Sequence, residues 1–516
     1  MRVEFPERFN MADYFLYHNV EEGRADKVCL YFKDETYTYG DAVGRSNRAG
    51  HALRALGAGL EDRVLIVLPD CPEFVWTWFG ASRIGAVITM VNPLLPASDY
   101  EYYLDYTRAR VAVIHESLLE NFTAAARGAK HLRGTLVVGQ QHGEFTSFAQ
   151  TVNQMPAELA AADTHRDDIA IWLFTSGSTG RPKGAVHLHH DLPYNTECYA
   201  KGVLGLNERD LTVSVPKLFF GYATGTNLLF PFAVGGATAL FSERSTPEKL
   251  FEMIERYRPT VLTSVPTMIN AMLNVAGATE RDLASLRFCL SAGEALPVEL
   301  YERWLRTFGV EILDGIGSAE MFHIYITNRP GDVRPGSLGR IVAGYEAEIV
   351  DAAGRSVPTG AMGTLRVKGD SAALCYWQAH EKSKATFAGD WCTTGDQFHV
   401  DDAGYYFYHG RTDDMLKVSG VFVAPVEIES CLLQHEAVLE CAVVGHEAGD
   451  GLIKPKAFVV PRPPHEPSND LEQALKEFVK NNLARYKYPR WIEFVPALPK
   501  NDRGKIDRKQ LKSSAE

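Results

Sequence analysis

Residues 175–183 read TSGSTGRPK and follow the apolar run 169–174. Glycines at 177 and 180 open backbone conformations closed to other residues, while the hydroxyls of Thr175, Ser176, Ser178 and Thr179 and the ammonium of Lys183 can surround an anion. This spacing predicts a phosphate-binding loop. It is not the Walker pattern GxxxxGK[ST], so the usual inference to a nucleotide hydrolase does not carry over. A flexible Gly/Ser/Thr turn is the plain alternative. The strand placed directly before the loop, and the partners found later in the chain, weigh against it.

Four further constellations lie far along the chain. DGIGSAE at 314–320 sets Glu320 just after a small-residue turn, where a Mg²⁺ bound to phosphate oxygens could use its carboxylate. TTGD at 393–396 offers Asp396, a carboxylate able to accept both hydroxyls of a ribose. Arg411 and Asp413 open RTDDMLKVSG, and PKNDRGKIDR at 499–508 presents Lys505 on a turn beside glycine. Taken singly, these are surface carboxylates, a helix cap and a basic tail; their joint order gives them weight.

Short apolar strands alternate with amphipathic helices around these motifs: 63–68, a helix over 73–84, and 86–91, then 238–241, 247–258, 260–265, 286–290 and 297–308. Such alternation predicts α/β architecture with largely parallel sheets. From about 339 to 408 the texture turns β-rich, with hairpin signals at DAAG (351–354) and DDAG (401–404). Beyond 410 a compact α+β pattern follows: a helix from Val426, strands near 438–444 and 456–460, and a helix over 471–483. PRPPHEP at 461–467 is expected to loop out within that last unit rather than to link domains.

At 516 residues the chain exceeds one ordinary core. Its net charge of -12 argues against nucleic acid as the main partner, so anionic ligands must be met by local cations and amides. The eight cysteines are scattered without a metal-like cluster and the first residues lack the apolar core of a signal peptide, which together point to a reducing, cytoplasmic setting. The uncharged stretch 218–241 is long enough to cross a bilayer, but Gly221, Gly225, Pro231, Gly235 and Gly236 interrupt it, so buried core around a ligand pocket is expected and no membrane span.

In order and spacing, TSGSTGRPKG, DGIGSAE, TTGD, GRTDD and PKNDRGK resemble the core motifs of the adenylate-forming superfamily of acyl- and aryl-CoA ligases, adenylation domains and luciferases. The resemblance runs from about residue 30 to the end of the sequence. It implies a large N-terminal domain of stacked α/β sheets with a β-barrel-like subdomain (1–411) and a small mobile α+β C-terminal domain (412–516). The hinge would lie near Asp413. The family uses ATP, Mg²⁺ and coenzyme A. By the same resemblance Thr175, Ser176, Gly177, Ser178, Thr179, Gly180 and Lys183 would hold the β- and γ-phosphates, with Thr175 and Glu320 toward the metal. Gly293, Glu294, Asp314, Gly315 and Ser318 would line the nucleotide, and Asp396 and Arg411 the ribose side. Lys505 would bridge the substrate carboxylate and the α-phosphate as charge builds at phosphorus. After rotation, Lys417, Ser419 and Gly420 would approach for thiol attack. Ser318 and Ala319 stand where many members carry threonine before the glutamate; Ser318 keeps a hydroxyl one place earlier.

PKLFFGYATG at 216–225 and EMFHIYITN at 320–328 are very similar to segments of benzoate–CoA ligases. That implies a short aromatic pocket lined by Gly221, Tyr222, Ala292, Gly293, Gly317, His323 and Ile324, too closed for a long-chain fatty acid. Core packing of Tyr222 and His323 is the alternative. Gly221 stands where benzoate ligases carry alanine, so room for about one extra heavy atom is expected. That favours 2-aminobenzoate (anthranilate), with benzoate and its fluoro- or hydroxy-derivatives next. Other classes stay open: a stand-alone adenylation enzyme loading a carrier protein for polyketide machinery, a luciferase-like oxidation, and a non-catalytic sensor, against which the presence of every motif speaks.

Overall fold

The computed structural model describes residues 3–175, 181–418, 421–447, 453–500 and 506–515. Two large sheets carry most of the chain. In the nine-stranded sheet, Val28–Phe32, Ala237–Leu240, Leu211–Ser214, Val261–Ser264, Phe288–Ala292 and Ile312–Gly317 lie side by side and parallel. The eight-stranded sheet is parallel from Ile169–Thr175 outward, through Val87–Met90, Arg63–Val67, Val111–His115 and Gly134–Val138. Strands covered on both faces read as unbroken apolar runs, as RVLIV and IAIWLFT do. The expected α/β class is therefore what the chain adopts.

Helices close both faces. Pro72–Arg83 starts with proline at its first turn, where a missing N–H costs nothing. Tyr39–Ala55 begins at a reciprocal Thr38–Asp41 cap. These two helices pack so closely that a Cβ on Gly80 would stand 2.7 Å from the Ser46 carbonyl oxygen. The uncharged stretch after Leu218 forms short buried helical turns, Gly221–Thr224, Gly225–Leu229 and Phe230–Ala233. Among the described residues no helix is long and apolar enough to cross a membrane.

The β-rich stretch forms a five-stranded antiparallel sheet of Glu346–Val350, Gly363–Lys368, Trp391–Val400, Phe387–Ala388 and Tyr406–Arg411. DDAG turns its last hairpin. The C-terminal portion builds its own core: Ile428, Leu432, Val443, Val459, Leu475 and Val479 pack between the helices Pro425–Leu432 and Asn469–Asn482 and a three-stranded sheet. The segment 462–468 loops out between that sheet and the Asn469–Asn482 helix.

Candidate active site

Four motifs sit at the carboxyl ends of parallel strands, where α/β sheets leave a crevice for ligands. Thr175 ends one strand, Ala292 a second and Gly317 a third, and Gly221 follows Leu211–Ser214 by a short connection. Ile169–Thr175 pairs antiparallel with Lys183–Leu188, and Thr175 lies directly across from Lys183. Ser176 to Gly180, five of the residues expected to hold phosphate, lie outside the described residues. The loop exit is fixed from the side by the Ala97–Thr107 helix: Tyr102 Oη donates to the Pro182 carbonyl at 2.6 Å, and Tyr106 Oη accepts from the Gly184 N–H at 3.2 Å.

Glu320 stands opposite this exit. Its Oε1 accepts from Tyr376 Oη at 2.5 Å, and its backbone carbonyl accepts from the Ala373 N–H at 2.7 Å. Lys183 Nζ sits 4.7 Å over the Tyr376 ring. Burial, and then Lys382 nearby, hold the Lys183 ammonium below its usual range, while Glu320 opposes them and Arg411 adds to them. One carboxylate and one hydroxyl, Glu320 and Thr175, suit Mg²⁺, which takes one or two carboxylates together with substrate phosphates. Among the described residues no cluster of three or more His, Cys, Asp or Glu could hold a metal by itself.

Asp396 and Arg411 face each other across the Trp391–Val400 and Tyr406–Arg411 pair, with Arg411 Nη1 3.4 Å from Asp396 Oδ1. Asp396 is only 7% exposed. Next to them Thr412 Oγ1 donates to the Gly395 carbonyl and accepts from Gln397 Nε2, so the chain is pinned to this sheet one residue before Asp413, which is exposed. Lys417 lies on the strand Leu416–Val418, its side chain outside the described residues, as are Ser419, Gly420 and Lys505. Just beyond Lys505 the chain is locked: Arg508 binds Glu429 with two bonds, 2.6 and 2.8 Å.

The nucleotide-side expectations fare unevenly. Asp314 is buried and its Oδ1 has no hydrogen-bond partner among the described residues. Burial pushes its carboxyl up to about 8, against the Ser291 hydroxyl and the Gly315 N–H. Gly315 is at the same strand end, Ser318 keeps a buried hydroxyl oxygen, and Gly293 has a φ of 87°, closed to most residues. Glu294 engages one oxygen in a helix cap: its Oε2 accepts from the Thr267 N–H at 3.0 Å and the Thr267 hydroxyl at 2.7 Å, at the start of the Pro266–Leu273 helix, while its Oε1 is buried with no partner among the described residues.

Of the residues expected to line an aromatic pocket, the structure brings Gly317 beside Ile324 and Tyr222 beside His323. Gly317 pairs with Ile324, and a Cβ at 317 would stand 2.4 Å from the His323 carbonyl oxygen, so only glycine fits. Phe322 has φ 67° and ψ -57°, and the His323 N–H reaches the Met321 carbonyl at 2.9 Å. This is a γ-turn of the rare, strained hand. It seats His323 in the core at 2% exposure, between the rings of Tyr199, Tyr222 and Phe230 at 5.6, 5.2 and 4.7 Å. Gly225 makes room, since a Cβ there would lie 2.5 Å from His323 Cδ2. His323 Nε2 donates to the Tyr222 carbonyl at 3.0 Å, and burial pulls its pKa down to about 3. The ring is therefore neutral, and Nδ1 is a bare lone pair with no partner among the described residues.

At Gly221 the structure differs from expectation. The place a methyl would occupy is 3.1 Å from Leu173 Cδ1, so glycine admits the Leu173 side chain to the wall rather than leaving a void. Motif reading also missed Tyr376, His187 and Asp191. Only His187 carried a signal, the period-2 spacing from Lys183.

The model of the AMP-binding enzyme family matches residues 16–377, and that of the AMP-binding enzyme C-terminal domain matches 427–505. The chain belongs to the AMP-binding enzyme family. It is 46% identical to a benzoate–CoA ligase of Thauera aromatica over 514 residues, covering 99% of this enzyme and 97% of that one. The structure of the anthranilate CoA ligase AuaEII in complex with anthranoyl-AMP superposes with a TM-score of 0.95 at 42% identity, over 99% of this chain and 98% of that chain. A benzoate CoA ligase from Burkholderia xenovorans LB400 superposes with a TM-score of 0.91 at 43% identity, over 98% of this chain and all of the other. The likeness of the enzyme to these ligases thus includes the small C-terminal domain.

Proposed function

We propose that the enzyme is an ATP-dependent aryl-CoA ligase acting on 2-aminobenzoate. The carboxylate attacks the α-phosphorus of ATP, forming aryl-AMP and releasing pyrophosphate. The thiol of coenzyme A then attacks the acyl carbon, giving the thioester and AMP. One observation carries the substrate assignment. His323 Nδ1 is a buried, neutral acceptor with no partner among the described residues, and its ring lies 5.2 Å from that of Tyr222, beside the paired Gly317 and Ile324. Buried polar groups are almost always paired, and an ortho-amino N–H is the donor this lone pair lacks. Benzoate offers no donor there.

In this reading Thr175, the 176–180 loop and Lys183 bind the β- and γ-phosphates, with Thr175 and Glu320 turned toward Mg²⁺, which when bound neutralises phosphate charge. Asp396 and Arg411 hold the ribose, and Gly293, Asp314, Gly315 and Ser318 the rest of the nucleotide. Lys505 steadies the pentavalent phosphorus from the mobile part of the chain, 412–516. Rotation about Asp413 then exchanges it for the loop of Lys417, Ser419 and Gly420. Glu294 acts through its cap on the Pro266–Leu273 helix, keeping Gly293 in place. A cytoplasmic location belongs to the same reading, since eight unpaired cysteines persist where thiols are kept reduced.

The test is a competition: the full chain with ATP, Mg²⁺, coenzyme A and equal benzoate, 2-aminobenzoate and a medium-chain fatty acid, with thioesters identified by mass. Mostly 2-aminobenzoyl-CoA is expected. Mostly benzoyl-CoA would leave the reaction and remove the role of His323, whereas a fatty acyl product would sink the pocket.

A further inference from the structure

The strand that leaves the phosphate loop does more than close it. On Lys183–Leu188 the side chains alternate, so Lys183, Ala185 and His187 share one face. All three reach the surroundings of Glu320. Lys183 lies over the Tyr376 ring, Ala185 pairs in register with Tyr376, and His187 Nε2 donates to the Ala319 carbonyl at 2.7 Å. That carbonyl belongs to the peptide bond that carries the nitrogen of Glu320.

His187 is itself fixed. It has no exposure, and its Nδ1 lies 2.8 Å from Asp191 Oδ2, the same oxygen that accepts the Leu188 N–H at 3.1 Å. Asp191 is equally buried at the start of the Asp191–Asn195 turn of helix. The Phe322 ring packs edge-on against His187 at 6.5 Å. A core histidine needs only some hydrogen-bond partner on each nitrogen. This one spends its outer nitrogen on the peptide beside the carboxylate, 132 residues away in sequence.

We propose that His187, oriented by Asp191, is a positioning residue that ties the Glu320 turn to the strand Lys183–Leu188 and so holds the Glu320 carboxylate where a phosphate-bound Mg²⁺ would use it. This rests on the reading of Glu320 as the metal-side carboxylate. Thr175, opposite Lys183 on the paired strand, then shares one ladder with Tyr376, which holds the Glu320 carboxylate oxygen from the neighbouring strand Cys375–Tyr376. Partners that orient metal ligands typically govern affinity by about tenfold or more.

The experiment reads metal affinity rather than turnover. Mn²⁺ binding is followed by the loss of its free EPR signal, with the full chain saturated with α,β-methylene-ATP, which cannot be cleaved at the reacting bond. Glu320→Gln, His187→Gln and His187→Asn are compared with the unmodified chain, and thermal melting checks each fold. The glutamine amide reaches as far as Nε2 and can still donate to Ala319; the asparagine amide stops near Nδ1. We expect His187→Asn to weaken Mn²⁺ binding about tenfold and His187→Gln to stay within about twofold. Equal losses in both variants, or unchanged affinity in His187→Asn, overturn the proposal. If the asparagine variant does not fold, His187→Gln decides alone, a tenfold loss being fatal. Glu320→Gln separates the two ideas: full affinity there removes the metal-side reading itself, whereas a loss there with none in His187→Asn removes only this one.

Discussion

Replacing His323 by leucine tests the substrate assignment through a ratio rather than a rate. His323 Nε2 donates to the Tyr222 carbonyl at 3.0 Å and burial holds the ring neutral, so Nδ1 can only accept. A hydrogen bond between neutral groups contributes about 0.5–1.5 kcal/mol net. At 1.4 kcal/mol per tenfold, losing it should lower the preference for 2-aminobenzoate over benzoate by about twofold to tenfold. The other consequences cancel in the ratio. Leucine also leaves the Tyr222 carbonyl unpaired, which costs about 1–3 kcal/mol of stability whichever acid is bound. The rings of Tyr199, Tyr222 and Phe230 around position 323 are the same whichever acid is offered. The assay is pyrophosphate exchange with each acid, comparing kcat/KM for the two acids in variant and parent. A cooperatively melting variant whose ratio is unchanged would refute the reasoning, because the lone pair would then have no ligand to meet.

Lys505→Ala should lower aryl-adenylate formation by about 10²–10³-fold while thioester formation from supplied aryl-AMP continues, measured by pyrophosphate exchange and by thiolysis; equal losses in both half-reactions would remove its assigned role. Asp314→Asn should change how stability depends on pH. With its carboxyl pushed up to about 8, Asp314 keeps a proton when folded that the unfolded chain, titrating near 4, has lost. The native state therefore binds more protons across that window, and the parent loses about 1.4 kcal/mol per pH unit as pH rises through it. Asparagine lacks this slope, so in urea unfolding the variant should gain about 3 kcal/mol on the parent between pH 5 and 7.5. A constant gap would place no proton on Asp314.

The reaction class was legible because each of its elements is local. A glycine turn, a carboxylate after small residues and a lysine beside glycine can be read within ten positions, and the apolar run before Thr175 announces the strand that aims the loop. The supports of these groups were not legible, because they depend on register between distant strands. Tyr376 reaches Glu320 only because Cys375–Tyr376 adds to the edge of Lys183–Leu188, and nothing in LCYWQAH announces that pairing. Gly221 shows the same limit from the other side. Its missing methyl was visible, but the side chain that fills the gap belongs to a strand of the other sheet. Glu294, read as part of a nucleotide motif, also gives one oxygen to a helix start 27 residues earlier. The state of His323 required both its burial and the carbonyl that takes its only proton. On the proposed reading, an aryl acid would be selected by a polar atom that the packed core leaves unpaired, and the sequence shows the polar atoms without showing which of them lack partners.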